Sequence, residues 1–175
     1  MEQPTFATAR LVIRPRVLAD TDACLAMDRE PGVTRFVGGP WDDPEAHRRF
    51  IEARTSGPYP PGLGYWTILE RDRQFVGWML LMPLDTKGPE VEIGWRLKPA
   101  SWGNGYGSEA AKPLVLYGLG KLGLLEIVAD IDILNVASRR VAQRIGLRLR
   151  GETLHHGRKG VRYSLKKEEL AAVGI

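Results

Sequence analysis

Residues 92–110 read EIGWRLKPASWGNGYGSEA, and the fold depends on how that stretch divides. With Glu90 and Val91 in front, the first part alternates: Val91, Ile93, Trp95 and Leu97 share one face and Glu92 takes the other, the period of a strand over residues 90–97. The end carries Ser108 and Glu109, which suit the first turn of a helix. Between them Gly103, Gly105 and Gly107 occupy a strand-to-helix connection. Glycine adopts positive φ and lets backbone approach a ligand closely. Successive N–H groups can therefore converge on a phosphate while the helix N-terminus adds its field. The expected ligand is a pyrophosphate held by residues 102–107. Three glycines in such a place also serve as a plain turn, and both readings stand at this point.

Other phosphate loops fit less well. No Gly-Lys-Ser/Thr follows, so this is not a Walker loop, and Ser108 stands where the dinucleotide fingerprint needs its third glycine. Glu126 lies near the distance at which such a fold touches a ribose, which leaves a nicotinamide reading open.

Upstream, residues 10–16 alternate as a strand and residues 20–30 follow with helical spacing of Ala23, Leu25, Ala26 and Met27. Asp43 and Pro44 start a second helix reaching about Arg54. Residues 65–70 and 75–83 are strands joined by a charged turn, and with 90–97 they form an antiparallel meander. Downstream come a helix to about Lys121, a strand at 125–131, a helix from Asn135 to Ile145 stopped by Gly146, and strands near 147–153 and 161–166. Pro113 inside the first of these helices is expected to kink it or force a bulge. The order predicts an α/β (α+β) fold with helices covering a sheet.

At 175 residues and 43% hydrophobic content the chain fits one domain, 1–175, with one large core. The opening lacks a signal-peptide pattern and no apolar run reaches membrane-spanning length, so a cytoplasmic location with no membrane partner is expected. One cysteine, Cys24, and three histidines, His47, His155 and His156, supply neither a disulfide nor a metal cluster. Cys24 reads as a buried thiol. Residues 139–167 hold ten Arg and Lys against the single acid Glu152. That asymmetry fits a phosphate-bearing cofactor, a solvated basic face or, less well, nucleic acid.

Residues 135–147, NVASRRVAQRIGL, carry two stripes on a helix. Leu134, Ala137, Val141 and Ile145 are expected to pack, leaving Asn135, Ser138, Arg139 and Ala142 free; Asn135 also suits an N-cap. An Arg beside small residues suits a phosphorylated ligand.

Taken together these segments resemble the GNAT superfamily of N-acetyltransferases and, within it, the RimJ/RimL ribosomal-protein N-terminal acetyltransferase type. TARLVIRP at residues 8–15 is similar to the opening strand of that type, residues 92–110 to its cofactor strand and loop, and residues 135–147 to its second cofactor helix. The resemblance implies a GNAT fold: a central mixed, twisted sheet of about seven strands with helices on both faces. It implies acetyl-CoA as acetyl donor, no metal, and a primary amine as acceptor. That acceptor would be a protein or peptide N-terminus, with a small amine as the alternative, and a homodimer is compatible with it. A non-catalytic CoA-binding or RNA-contacting module is the rival, discriminated by turnover.

The resemblance also assigns residues. The family loop pattern falls on Trp102, Gly105 and Gly107, so Trp102, Gly103, Asn104, Gly105, Tyr106 and Gly107 would hold the pyrophosphate. The backbone of Trp95 to Leu97 would meet the pantetheine arm, with strand 125–131 splayed away from it. Asn135, Ser138 and Arg139 complete the cofactor side. Glu92 is the expected general base. Many relatives place a Tyr acid where this chain has Ala142, and Ser138 is left to act on or orient the sulfur. Glu109 is expected to be structural, and His155 and His156 to sit in a solvated turn or an acceptor cleft.

Overall fold

The computed structural model describes residues 2–84 and 90–174. Eight strands form one sheet: β1 (Phe6–Ala7), β2 (Leu11–Pro15), β3 (Gly64–Glu70), β4 (Phe75–Pro83), β5 (Val91–Leu97), β6 (Glu126–Asp132), β7 (Arg148–His155) and β8 (Arg158–Lys166). Their spatial order is β1-β2-β3-β4-β5-β6-β8-β7. Every pairing is antiparallel except β5 with β6, so the sheet is mixed, as expected. The expected count of about seven strands becomes eight. The extra member, β1, has two residues, too few to show any alternation in sequence.

Four helices cover the two faces: α1 (Thr21–Asp28), α2 (Pro44–Ser56), α3 (Tyr106–Leu116) and α4 (Val136–Arg144). Strand alternation divides the core accordingly. Trp66, Ile68, Met79, Leu81 and Ile93 pack with Ala110, Ala111 and Leu114 of α3 and Ala142 of α4. Tyr65, Trp78 and Leu80 point the other way, onto Cys24, Leu25 and Met27 of α1 and Ile51 of α2. Asp43 caps α2 as expected, its carboxylate accepting from the N–H groups of Glu45 and Ala46, both at 3.0 Å.

Pro113 lies within α3, and the helix gives way at its end to a wide turn over Tyr117–Lys121. There the Leu122 N–H donates to the Tyr117 carbonyl at 2.9 Å. The helix runs through Pro113 without a break, and the wide turn begins four residues after it, beyond the 113-to-109 bond that the proline removes. Gly118 in the turn lies against β6, where a Cβ would come within 2.8 Å of Ile127.

On α4 the stripe expected to pack does so only in part: Val141 and Ile145 meet the core, Leu134 and Ala137 do not. Leu134 is 64% exposed and Ala137 is exposed too, whereas Ala142 and Ile145 are fully buried. The crossing of α4 over the sheet turns the Ala142 side inward. Helical periodicity defines two stripes, and the helix meets the core along the seam between them, through Val141, Ala142 and Ile145.

Among the described residues, no helix is long and apolar enough to cross a membrane, and no group of three or more His, Cys, Asp and Glu could hold a metal ion.

Candidate active site

The one parallel pairing opens the sheet. β5 and β6 are in register at Val91 with Ile127 and at Glu92 with Val128, and no further pair forms. On its other edge β5 is bound to β4 throughout, ending with the Lys98 N–H on the Val76 carbonyl at 3.0 Å. Because peptide groups alternate along a strand, those of residues 92, 94, 96 and 98 face β4, and those of Ile93, Trp95 and Leu97 face the gap left by β6. The expected splay is present, with backbone donors and acceptors along it.

A cleft of about 760 Å3 runs through this gap. Gly103, Gly105, Tyr106 and Gly107 line one end, together with Trp95, Leu97, Trp102, Ser138 and Asn135. Gly103 and Gly105 have φ of 75° and 78°, the left-handed region where a side chain is strained, and Gly105 caps α3. A Cβ on Gly103 would meet nothing within 4 Å, leaving its backbone bare toward the cleft. Gly107 lets α3 approach α4, since a Cβ there would lie 3.3 Å from Val141. These features fit an anion at a helix N-terminus.

The loop is tied down from behind. Glu109 accepts from the Thr8 hydroxyl at 2.6 Å and the Arg10 N–H at 3.0 Å, and forms an ion pair with the Arg10 guanidinium at 2.5 Å. Burial opposes its ionisation, but these hydrogen bonds hold the carboxyl below the usual range. Arg10 also donates to the Asn104 carbonyl at 3.0 Å. Glu109 is structural, as expected. Asn104 belongs to this anchoring and is not part of the cleft wall. The Trp102 indole donates to the Leu97 carbonyl at 2.8 Å, fixing the loop to the end of β5.

On α4, Asn135 is the N-cap, accepting from the Ser138 N–H at 3.1 Å. The Ser138 hydroxyl is therefore not spent on capping. It accepts from the Trp95 indole at 3.3 Å across the mouth of the gap. Ala142, where the missing acid would stand, is in the core. Arg139 departs from expectation. Its guanidinium turns toward the sheet, donating to the Tyr163 hydroxyl at 3.3 Å and the Ile133 carbonyl at 3.2 Å. Arg140 and Arg144 line the cleft in its place. The sequence holds all three in one basic run, and only the rotation of α4 selects among them.

Glu92 lines the opposite part of the cleft, on the α1/α2 side of β5. Burial, then the charge of Asp130, push its carboxyl up to about 7, with Arg54 and Arg162 pulling the other way. Asp130 is gripped by Arg162 through two hydrogen bonds of 2.8 and 2.7 Å. His155 and His156 also line the cleft, their rings 4.4 Å apart, and burial lowers both below the ordinary imidazole value. Both line the cleft, His155 half-buried at the end of β7 and His156 exposed in the turn that follows.

Sequence reasoning missed Arg16, Arg54 and Asp130 as cleft residues. Arg54 and Asp130 sit on elements read correctly and Arg16 just past the end of β2, and long-range packing turns all three inward.

The acetyltransferase (GNAT) domain family matches residues 10–148, and the chain belongs to that family, whose acetyl donor is acetyl-CoA. FsC-acetyl coenzyme A-N(2)-transacetylase of Aspergillus fumigatus is 34% identical over 157 residues, covering 83% of this chain and 65% of that protein. The chain thus spans about 65% of the length of that relative. The uncharacterized N-acetyltransferase YoaA of Bacillus subtilis is 30% identical over 152 residues, 85% of each chain. A GNAT-family acetyltransferase of Bacillus anthracis has the same fold, with a TM-score of 0.81 at 23% identity over 95% of this chain and 100% of that one.

Proposed function

We propose that the chain, as a single domain, transfers the acetyl group of acetyl-CoA to a primary amine. The observation that carries this reading is Glu92, a carboxyl pushed up to about 7 in a cleft whose other end is a bare glycine loop at a helix N-terminus. An amine arrives mostly as ammonium and must lose a proton to attack. Glu92 takes that proton, directly or through water, and its raised value keeps it basic enough to do so near neutrality. The backbone N–H of Trp95 or Leu97, facing the gap, donates to the oxygen that becomes negative as the amine adds. Ser138, within reach of Trp95, orients the sulfur, and a thiol near pKa 8.5 leaves as thiolate without a dedicated acid. Arg140 and Arg144 extend the phosphate end.

Trp102 in the first loop position and the opening strand support the RimJ/RimL branch, and with it a protein or peptide N-terminus as acceptor. A small amine is the second reading. Arg158 donates to the Arg35 carbonyl at 3.1 Å and lies 6.0 Å from the Phe36 ring, so the β7–β8 hairpin and the loop after α1 meet at the cleft. That contact narrows the approach for a folded partner. The test is release of free thiol from acetyl-CoA with a panel of peptides and small amines. Turnover with any amine supports the reading. Silence across the panel, with salt-dependent RNA binding, would replace it with a non-catalytic module.

A further inference from the structure

Arg16 lies just past the end of β2, its N–H donating to the Tyr65 carbonyl at 3.0 Å. It is 6% exposed and lines the cleft. Among the described residues its Nε and Nη2 atoms have no hydrogen-bond partner. Those two atoms form the side-on edge of a guanidinium, the pair of parallel donors that matches the two oxygens of a carboxylate. The Tyr65 ring centre lies 4.0 Å from the guanidinium carbon and covers one flat face, so the unmade bonds of this buried group lie along that edge.

The neighbours do not neutralise it. Asp20, the nearby carboxylate, already accepts from Arg14 at 2.8 and 2.7 Å, from the Thr67 hydroxyl at 2.7 Å and from the Val17 N–H at 3.0 Å. The Cys24 thiol beside Arg16 is pushed up to about 11, first by burial, so it stays neutral. Burial lowers Arg16 itself from the ordinary arginine value, the mark of a cation with too little compensation. Arg54 adds a second positive charge, holding the Tyr65 hydroxyl at 2.9 Å from the same cleft wall. Leaving a buried cation with unmade hydrogen bonds is costly unless a ligand supplies the anion.

The position relates this charge to the reaction. Tyr65 pairs with Leu80 and Leu80 with Gly94, so Arg16 looks along one face of the sheet toward β5, where Glu92 stands two residues from Gly94. Three strand spacings separate Arg16 from β5, roughly 14 Å at the backbone, and both side chains reach into the space between. The phosphate end of the cleft, with Arg140 and Arg144, is a separate anion position.

From this geometry we infer that the amine acceptor is a small molecule carrying a carboxylate, which Arg16 binds through its side-on edge, with Arg54 beside it, while the amine is presented to Glu92. The inference rests on the acetyltransferase reading above, takes its small-amine form in place of the peptide one, and names the substrate class.

The experiment measures thiol release from acetyl-CoA with α- and ω-amino acids, each beside its own carboxamide, and with peptides having a free N-terminus and an amidated C-terminus. The carboxylate member of at least one pair is expected to exceed its carboxamide in kcat/KM by roughly 100-fold, the scale of hydrogen bonds to a charged group. In Arg16→Met that ratio falls to near one, chiefly through a raised KM for the carboxylate. Arg16→Lys keeps the charge, loses the paired donors and gives an intermediate ratio. Acetyl-CoA affinity by calorimetry identifies any variant that has failed to fold, and Arg16→Lys then carries the test. Equal use of carboxylates and carboxamides, a preference for the amidated peptides, or a ratio unmoved by either substitution overturns the anchor while leaving the acetyltransferase reading intact. No turnover with any amine overturns both.

Discussion

Asp130 stands close enough to Glu92 for its charge to add to burial in raising the Glu92 carboxyl to about 7. Arg162 in turn grips both Asp130 oxygens, at 2.8 and 2.7 Å. The pair thus acts in two layers: a carboxylate held in place by an arginine, and a second carboxylate whose proton affinity is raised by burial first and by its neighbour second. A group tuned in this way is suited to take a proton near neutral pH.

If Glu92 is the base, it must be ionised, so kcat/KM rises with pH on a limb centred near 7. Glu92→Gln is expected to lower turnover tenfold or more, within the roughly 10² to 10⁴ of general acid-base groups, and to leave acetyl-CoA affinity nearly unchanged. Asp130→Asn removes the negative neighbour and frees Arg162, so the limb moves to lower pH. Unaltered turnover in Glu92→Gln would remove this residue from the mechanism.

The same shift predicts a stability change of definite sign. Glu92 titrates near 4.5 when unfolded and near 7 when folded, so the native state binds its proton more tightly. Below pH 4.5 both states are protonated and nothing is lost. As pH rises toward 7 the fold increasingly bears the cost of a buried charge, reaching about 3 kcal/mol above it. Glu92→Gln abolishes that cost. Thermal melts should show the variant more stable than the parent chain at pH 8 and equal to it near pH 4.

Gly105 combines a positive φ with the N-cap of the helix that faces the phosphate end of the cleft. Gly105→Val forces a branched side chain into a strained conformation, costing roughly 1–3 kcal/mol, and obstructs the approach of a phosphate. Calorimetry should report weakened acetyl-CoA binding. Parent-like affinity in a folded variant would show that the loop is only a turn.

Arg139 and its two cleft-facing neighbours separate the sequence reading from the structure. Arg144→Ala and Arg140→Ala should weaken acetyl-CoA binding and flatten its dependence on salt, since both line the cleft. Arg139→Ala removes bonds to Tyr163 and Ile133 and should lower the melting temperature with little effect on affinity. The reverse pattern, measured by titration at two salt concentrations, would restore Arg139 as the phosphate ligand.

The sequence by itself determined what is local. Alternation of residues 90–97 gave β5 with Glu92 opposed to its apolar face, glycines at 103, 105 and 107 gave the turn before α3, and Asp43 and Asn135 gave helix caps. Each follows from backbone geometry within a few residues, so no distant part of the chain can change it. Tertiary structure alone decided that Ala142 joins Val141 and Ile145 against the core, and that Arg140 and Arg144 rather than Arg139 line the cleft. It also decided the gap between β5 and β6, because strand divergence depends on how the sheet twists around its helices. The raised carboxyl of Glu92 and the unpartnered edge of Arg16 belong to this second group. Both arise from burial and from charges brought together across the sheet, and neither property resides in the residue that shows it.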